Sequence, residues 1–122
     1  MKRAILLVDH GSRLPEANAL LEEVAEQIRS RVPERVVAVA HLELVKPDIA
    51  EGIDSCVARG ATRIVVHPYF LGPGRHTTDD IPAQVRRAAE NHPDVEILIS
   101  ESLGGHDALI DVVLDRVRDA DG

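Results

Sequence analysis

The sequence predicts an α/β domain: a four-stranded parallel sheet, doubly wound, with helices on both faces. Three observations predict it. Four short apolar runs rich in Val, Ile, Leu and Ala recur along the chain. Between them lie stretches whose apolar residues repeat at helical spacing. At 122 residues the chain has room for one domain, residues 1–122, and not for two. Strand and helix alternating four times implies right-handed crossovers, hence parallel strands covered by helices.

The first run, Ala4 to Val8, is continuous and apolar, as expected of a strand buried on both faces, and Gly11-Ser12-Arg13 ends it. Ala17, Leu20, Leu21, Val24, Ala25, Ile28 and Val32 then form a helical stripe, opposed by Glu22, Glu23, Glu26, Arg29 and Arg31, and Pro33 closes the helix. A second strand starts at Val36 and runs to about Glu43. Lys46-Pro47-Asp48 reads as a helix start, and Ile49, Ile53, Cys56 and Val57 form its inward stripe as far as Gly60. The third strand begins at Ile64 and ends near Tyr69-Phe70, before a glycine-proline loop, Leu71 to Arg75. A third helix is expected from about Asp80 to Asn91, then a strand over Val95 to Ile99. After Gly104-Gly105 comes a last helix with Leu109, Ile110, Val113, Leu114 and Val117 pointing inward. The strands fall near residues 3–9, 35–43, 62–70 and 94–100.

Composition narrows the function. The formal charge of −7 lacks the clustered Lys and Arg that neutralise phosphates, so nucleic acid is not an expected partner. No segment reaches the roughly 20 apolar residues of a membrane span. The N-terminal apolar run stops at Asp9-His10 without a small-residue cleavage site, so the expected location is cytoplasmic. Cys56 is the only cysteine, which excludes an intrachain disulfide or a Cys-rich metal cluster. Its helical spacing with Ile49 and Ile53 marks it as core.

Parallel α/β sheets bind ligands beyond the carboxyl ends of their strands. At that edge the sequence places Asp9, His10, Gly11, Ser12 and Arg13; then His41, Glu43 and Lys46; then Tyr69, Phe70, Gly72, Gly74, Arg75, His76 and Asp79-Asp80; then Glu101 and His106. Taken singly, each has an ordinary structural reading. His10 can end a strand, the Gly-Pro-Gly loop can be turn chemistry, and His76 can be a solvated loop residue. His41 reads as a satisfied interior histidine, His67 as facing a helix or a subunit contact, and His92 as a helix terminator. The inventory as a whole is what a structural edge rarely collects.

Together, Val8-Asp9-His10-Gly11-Ser12-Arg13, Glu43 with Pro47 beyond it, Pro68 to His76 followed by Asp80-Ile81-Pro82, and Leu103-Gly104-Gly105-His106 resemble the small class II chelatases that insert cobalt or iron into sirohydrochlorin. The resemblance runs from about residue 4 to 118. Many members follow the second histidine with a tryptophan, where this chain has Thr77 and Thr78. The resemblance implies that His10 and His76 bind the metal in a catalytic cleft, with Glu43 as an associated acid. It also implies a homodimer, because longer relatives fuse two such lobes and one lobe makes half a tetrapyrrole cleft.

That chemistry suits these residue types. Neutral imidazole binds cobalt, iron and nickel, and two imidazoles with open coordination positions deliver an ion instead of locking it in. A histidine, or Glu43, can also accept the pyrrole protons, and ligand and base are not separable by sequence. The metal is a substrate, and no organic cofactor is expected. A tetrapyrrole carrying eight carboxylates needs a basic rim, expected from Arg13, Lys46 and Arg75, with Ser12 beside it. Backbone N–H groups of Gly72 and Gly74 can add an anion nest. Tyr69 and Phe70, being adjacent, point to opposite faces, so at most one lines the macrocycle.

Three rival readings differ in class. A metal-delivery protein keeps the histidines without catalysing insertion. A histidine phosphohydrolase fits poorly, because Asp9 before His10 repels phosphate. A receiver domain requires an acidic phosphoacceptor after the third strand, where Tyr69-Phe70 stand.

Overall fold

The computed structural model describes residues 1–72 and 74–122, with residues 75–78 described by backbone alone. Strands β1 (Arg3–Asp9), β2 (Val36–His41), β3 (Arg63–Pro68) and β4 (Glu96–Ile99) alternate with helices α1 (Pro15–Arg31), α2 (Ile49–Ala58), α3 (Arg75–Ala89) and α4 (Asp107–Asp121). All strand pairs are parallel, in the order β2-β1-β3-β4. The expected fold class is the observed one.

Strand β1 lies between two neighbours and has the least access to water, which is why its sequence is an unbroken apolar run. Its alternate residues divide two cores. Ala4, Leu6 and Val8 pack with Ile49, Ile53 and Cys56 of α2, Ile64 and Val66 of β3, and Ile81 and Val85 of α3. On the other face, Leu7 packs with Val37 of β2 and with Leu21 and Ala25 of α1. Each fully buried aliphatic side chain contributes about 1.5–3 kcal/mol, so the first, larger core holds the domain together. Cys56 belongs to it as expected, and burial pushes its thiol up to about 11. Helix α2 begins on a capping box: the Asp48 carboxylate accepts the Glu51 N–H, and the Glu51 side chain accepts the Asp48 N–H.

Three expectations need correction. Strand β2 ends at His41, leaving Glu43 in a turn where Leu44 adopts φ 74°. Helix α3 begins at Arg75, well before Asp80. Proline is at home in a first turn, so Asp80-Ile81-Pro82 reads as a start, whereas Pro82 lies inside the helix. The third correction concerns α4. Its stripe forms with the expected spacing, yet Ile110, Val113, Leu114 and Val117 are 61%, 57%, 45% and 49% exposed, and no residue of the helix is buried. Periodicity announces an apolar face without specifying what covers it.

On the α1 face, His67 of β3 is half-buried and its Nδ1 lies 2.8 Å from the Ser100 hydroxyl. Desolvation lowers its pKa from the ordinary 6.5, opposed more weakly by a hydrogen bond to the Glu101 backbone. The unfolded chain therefore takes up this proton at higher pH than the folded chain. The stability linked to it is complete above pH 6.5 and is lost as the pH falls below that value, through the folded pKa. His67→Gln is expected to flatten the acid side of a urea-midpoint profile. An unchanged slope would remove His67 from that role.

Candidate functional site

The site is built on the turn that follows β1. One oxygen of the Asp9 carboxylate accepts the Gly11 N–H at 3.0 Å and lies 2.5 Å from Nδ1 of His41. His41, only 4% exposed, is thus the satisfied interior histidine that its strand position suggested. Gly11 has φ +87°, and a Cβ there would sit 1.9 Å from the Glu43 carbonyl oxygen. No other residue fits such an approach. That closeness lets the β1 and β2 turns run side by side: Leu42 N–H donates to Asp9 O at 2.9 Å, and Glu43 N–H to His10 O at 3.1 Å. His10 and Glu43 are neighbours through the backbone, both exposed.

The loop after β3 supplies the next side. Tyr69 N–H donates to Val8 O at 2.7 Å, continuing the β1–β3 ladder past the strand ends. Tyr69 then joins the α1-face core and Phe70 the opposite one, so the expected division of the two aromatics holds. Phe70 lies under His10, with ring centroids 4.7 Å apart and planes inclined by 34°. Leu103 N–H donates to Phe70 O at 3.0 Å, and a Cβ on Gly104 would stand 1.8 Å from Leu71 O. The loop after β4 is thereby held against the loop after β3. His106 of that loop caps α4, its Nδ1 accepting the Ala108 N–H at 3.0 Å.

The remaining expected residues are distributed unevenly. His76 lies in the first turn of α3, after the strand adjacent to β1, but its side chain and that of Arg75 lie outside the described residues, as does Pro73 of the glycine-proline loop. Gly72 is exposed, with open space where a Cβ would point, and Gly74 is exposed beside it. The Ser12 hydroxyl accepts the Leu14 N–H at 3.0 Å, while Asn18 grips the Ser12 backbone from both sides at 2.9 and 2.7 Å. Its first duty is to shape the turn. Lys46 is exposed and ion-paired to Asp48 at 3.0 Å and Glu51 at 3.3 Å, contacts that raise its pKa. These carboxylates compete with any anion it meets.

Arg13 and Lys46 line a cleft of about 730 Å³ between α1 and α2, along the outer edge of β2, with His41 at one end. This cleft does not include His10 or Glu43. The open Val37 carbonyl in the edge strand is closed by Arg29, through Nε at 3.2 Å and Nη2 at 2.9 Å. Such arginines blunt a sheet edge against pairing with another strand. Among the described residues, no three His, Cys, Asp or Glu side chains gather around one point. Sequence reasoning noted Asp9 but gave it no part; its position between a buried histidine and a left-handed glycine appears only once β1 and β2 are paired.

Comparisons with known proteins fit this arrangement. The CbiX family matches residues 4–120. The chain is 43% identical over 114 residues to the chloroplastic sirohydrochlorin ferrochelatase of Arabidopsis thaliana, a match covering 93% of this chain and 51% of that protein. It is 33% identical over 137 residues to the sirohydrochlorin cobaltochelatase of Methanocaldococcus jannaschii, covering 93% of this chain and 96% of that one. The cobalt complex of the sirohydrochlorin chelatase SirB from Bacillus subtilis subspecies spizizenii superposes with a TM-score of 0.90 at 35% identity, over 98% of this chain and 51% of that chain. The chain thus spans about half the length of the plant and Bacillus proteins and nearly all of the Methanocaldococcus protein. Matched over almost its whole length, with the histidine-bearing turns inside the match, the chain belongs to the CbiX family.

Proposed function

We propose that this chain inserts divalent cobalt or iron into sirohydrochlorin, as a cytoplasmic homodimer, with nickel as a third ion its donors accept. The observation that carries this reading is His10: an exposed imidazole held by Phe70, beside Glu43, at the carboxyl edge of the central strand. The relatives' names, a ferrochelatase and a cobaltochelatase, support the reaction class and leave the ion open.

In this reading the metal is a substrate. A divalent ion replaces two pyrrole N–H protons, so one metal enters and two protons leave. His10, with His76 from the first turn of α3, receives the ion through neutral imidazole nitrogens, which bind these metals without retaining them as thiolates do. Glu43, exposed and next to His10, accepts a released proton and passes it to water. Arg13 and Arg75 meet the substrate's carboxylates. Lys46 has the weakest claim, since Asp48 and Glu51 already hold it. The ring's apolar face rests near Phe70. A second copy closes the cleft, because one sheet edge covers one side of a macrocycle.

The test mixes protein, sirohydrochlorin and cobalt(II) or iron(II) anaerobically and follows the tetrapyrrole absorption spectrum. The expected result is metal insertion well above the spontaneous rate and saturable in both substrates. No acceleration would leave metal delivery as the better reading.

A further inference from the structure

Strand β2 is an edge strand, and one short stretch of its outer edge is open. Backbone groups alternate in direction along a strand. Leu42 N–H donates inward to Asp9 O, whereas Val37 O is met from outside by Arg29, and His41 N–H donates outward to Pro47 O. Val37, Val39 and His41 therefore turn their N–H and C=O groups away from β1. Arg29 closes the edge at Val37, and the Lys46-Pro47 loop closes it at His41. Between them the N–H and C=O of Val39 face the cleft between α1 and α2, without a partner among the described residues. The two walls of this cleft differ. The Val39 side chain lies on the α1 face, where Pro15 and Ala19 line the cleft. On the α2 face Ala38 leaves room, and Ser55 and Arg59 line the wall one helical turn apart. The Ser55 hydroxyl is half-buried and makes no hydrogen bond among the described residues. Arg59 is exposed, reaches Val37 O only at 3.5 Å, and has no carboxylate partner among the described residues. Arg29 and Lys46, by contrast, are already ion-paired.

We infer that this cleft takes the carboxyl end of an extended polypeptide lying antiparallel to β2, its penultimate residue opposite Val39 and its terminal carboxylate on Arg59 and Ser55. The direction follows from the edge. One residue of an antiparallel strand exchanges both bonds with the residue opposite, whereas a parallel strand spreads them over two. The carboxyl end of an antiparallel chain points toward Val37. Arg29 blocks continuation there, so the chain stops. A free carboxylate is the group that an unpaired guanidinium and a hydroxyl hold together. The penultimate side chain falls beside Val39, against the small residues of α1, and is therefore apolar. Size agrees. From Val37 to His41 the edge runs four strand steps, about 13 Å, and a cleft of about 730 Å³ lies in the range of small-ligand sites. Strand addition combined with carboxylate capture is a recurring way of recognising peptides.

The test uses the full chain, isotope-labelled for NMR, and the peptide acetyl-Ala-Ala-Val-Ala with a free carboxylate. Saturable binding is expected, shifting the Val39 amide and slowing its hydrogen exchange. Amidating the end of the peptide is expected to weaken binding by about 10-fold or more, the loss of a charge-assisted bond. Arg59→Gln is expected to weaken the free acid to the same degree and to leave the amide unaffected; Ser55→Ala has a smaller effect. Both side chains project from one wall of the cleft, and an unchanged thermal unfolding curve verifies that the variants fold. No shift at millimolar peptide overturns the inference. So does binding that ignores both amidation and Arg59→Gln, or that shifts amides away from β2. Acetate acting as well as the peptide reduces the site to anion capture and overturns the strand pairing. None of these readouts passes through His10, Glu43 or metal insertion, so this site stands or falls apart from the proposed function.

Discussion

His10→Ala is expected to lower the rate of metal insertion into sirohydrochlorin by about 100-fold or more, with the fold intact. The imidazole is exposed and, among the described residues, its ring neighbour is Phe70, so its removal opens no cavity. The stability change should stay within about 0.5 kcal/mol, the range for surface substitutions. Loss of rate without loss of stability separates a chemical role from a structural one. A metal titration of the variant refines it. If His10 acts as a ligand, the apparent affinity for the ion falls and excess metal restores part of the rate; if it acts as a base, excess metal restores nothing. His76→Ala is expected to behave in the same way. Rates near wild type in both variants would dismiss the assignment.

Gly11→Ala is expected to be strongly destabilising. The backbone there has φ +87°, and the added carbon would lie 1.9 Å from the Glu43 carbonyl oxygen. Left-handed strain costs about 1–3 kcal/mol by itself. Relieving the clash means separating the β1 and β2 turns, which breaks the Glu43 N–H bond to His10 and disturbs the Asp9 carboxylate that Gly11 and His41 share. A total loss of about 3–5 kcal/mol is expected, from the combined strain and broken buried network. For a domain of this size that lowers Tm by about 10 °C or more. Thermal unfolding measures it, and a shift of about 2 °C or less would show that the two turns part without penalty.

The fold was legible in the sequence because burial writes itself into period. A strand covered on both faces, such as β1, reads as a near-continuous apolar run from Ala4 to Val8, and α1 and α2 carry stripes facing the cores they fill. The start of α3 was not legible, since Pro82 suits a first turn as readily as the helix interior it occupies. For the candidate site, the carboxyl-edge rule pointed to turns that the structure brings side by side. His41, read as an interior histidine from its place in a weakly alternating strand, is buried.

The chain's own sequence determined the strand and helix order, the sheet's parallel direction, and the set of side chains available at its carboxyl edge. Those follow from local periodicity and from crossover handedness, which act through near neighbours. Tertiary structure decided which of those residues meet: Asp9 with His41, Glu43 beside His10, Phe70 beneath it, and Lys46 drawn off to Asp48 and Glu51. It also decided that α4 leaves its apolar stripe uncovered. Contacts between residues far apart in the chain depend on register and on sub-ångström approaches, such as Gly11 against Glu43, and neither is encoded in the pattern of any one segment.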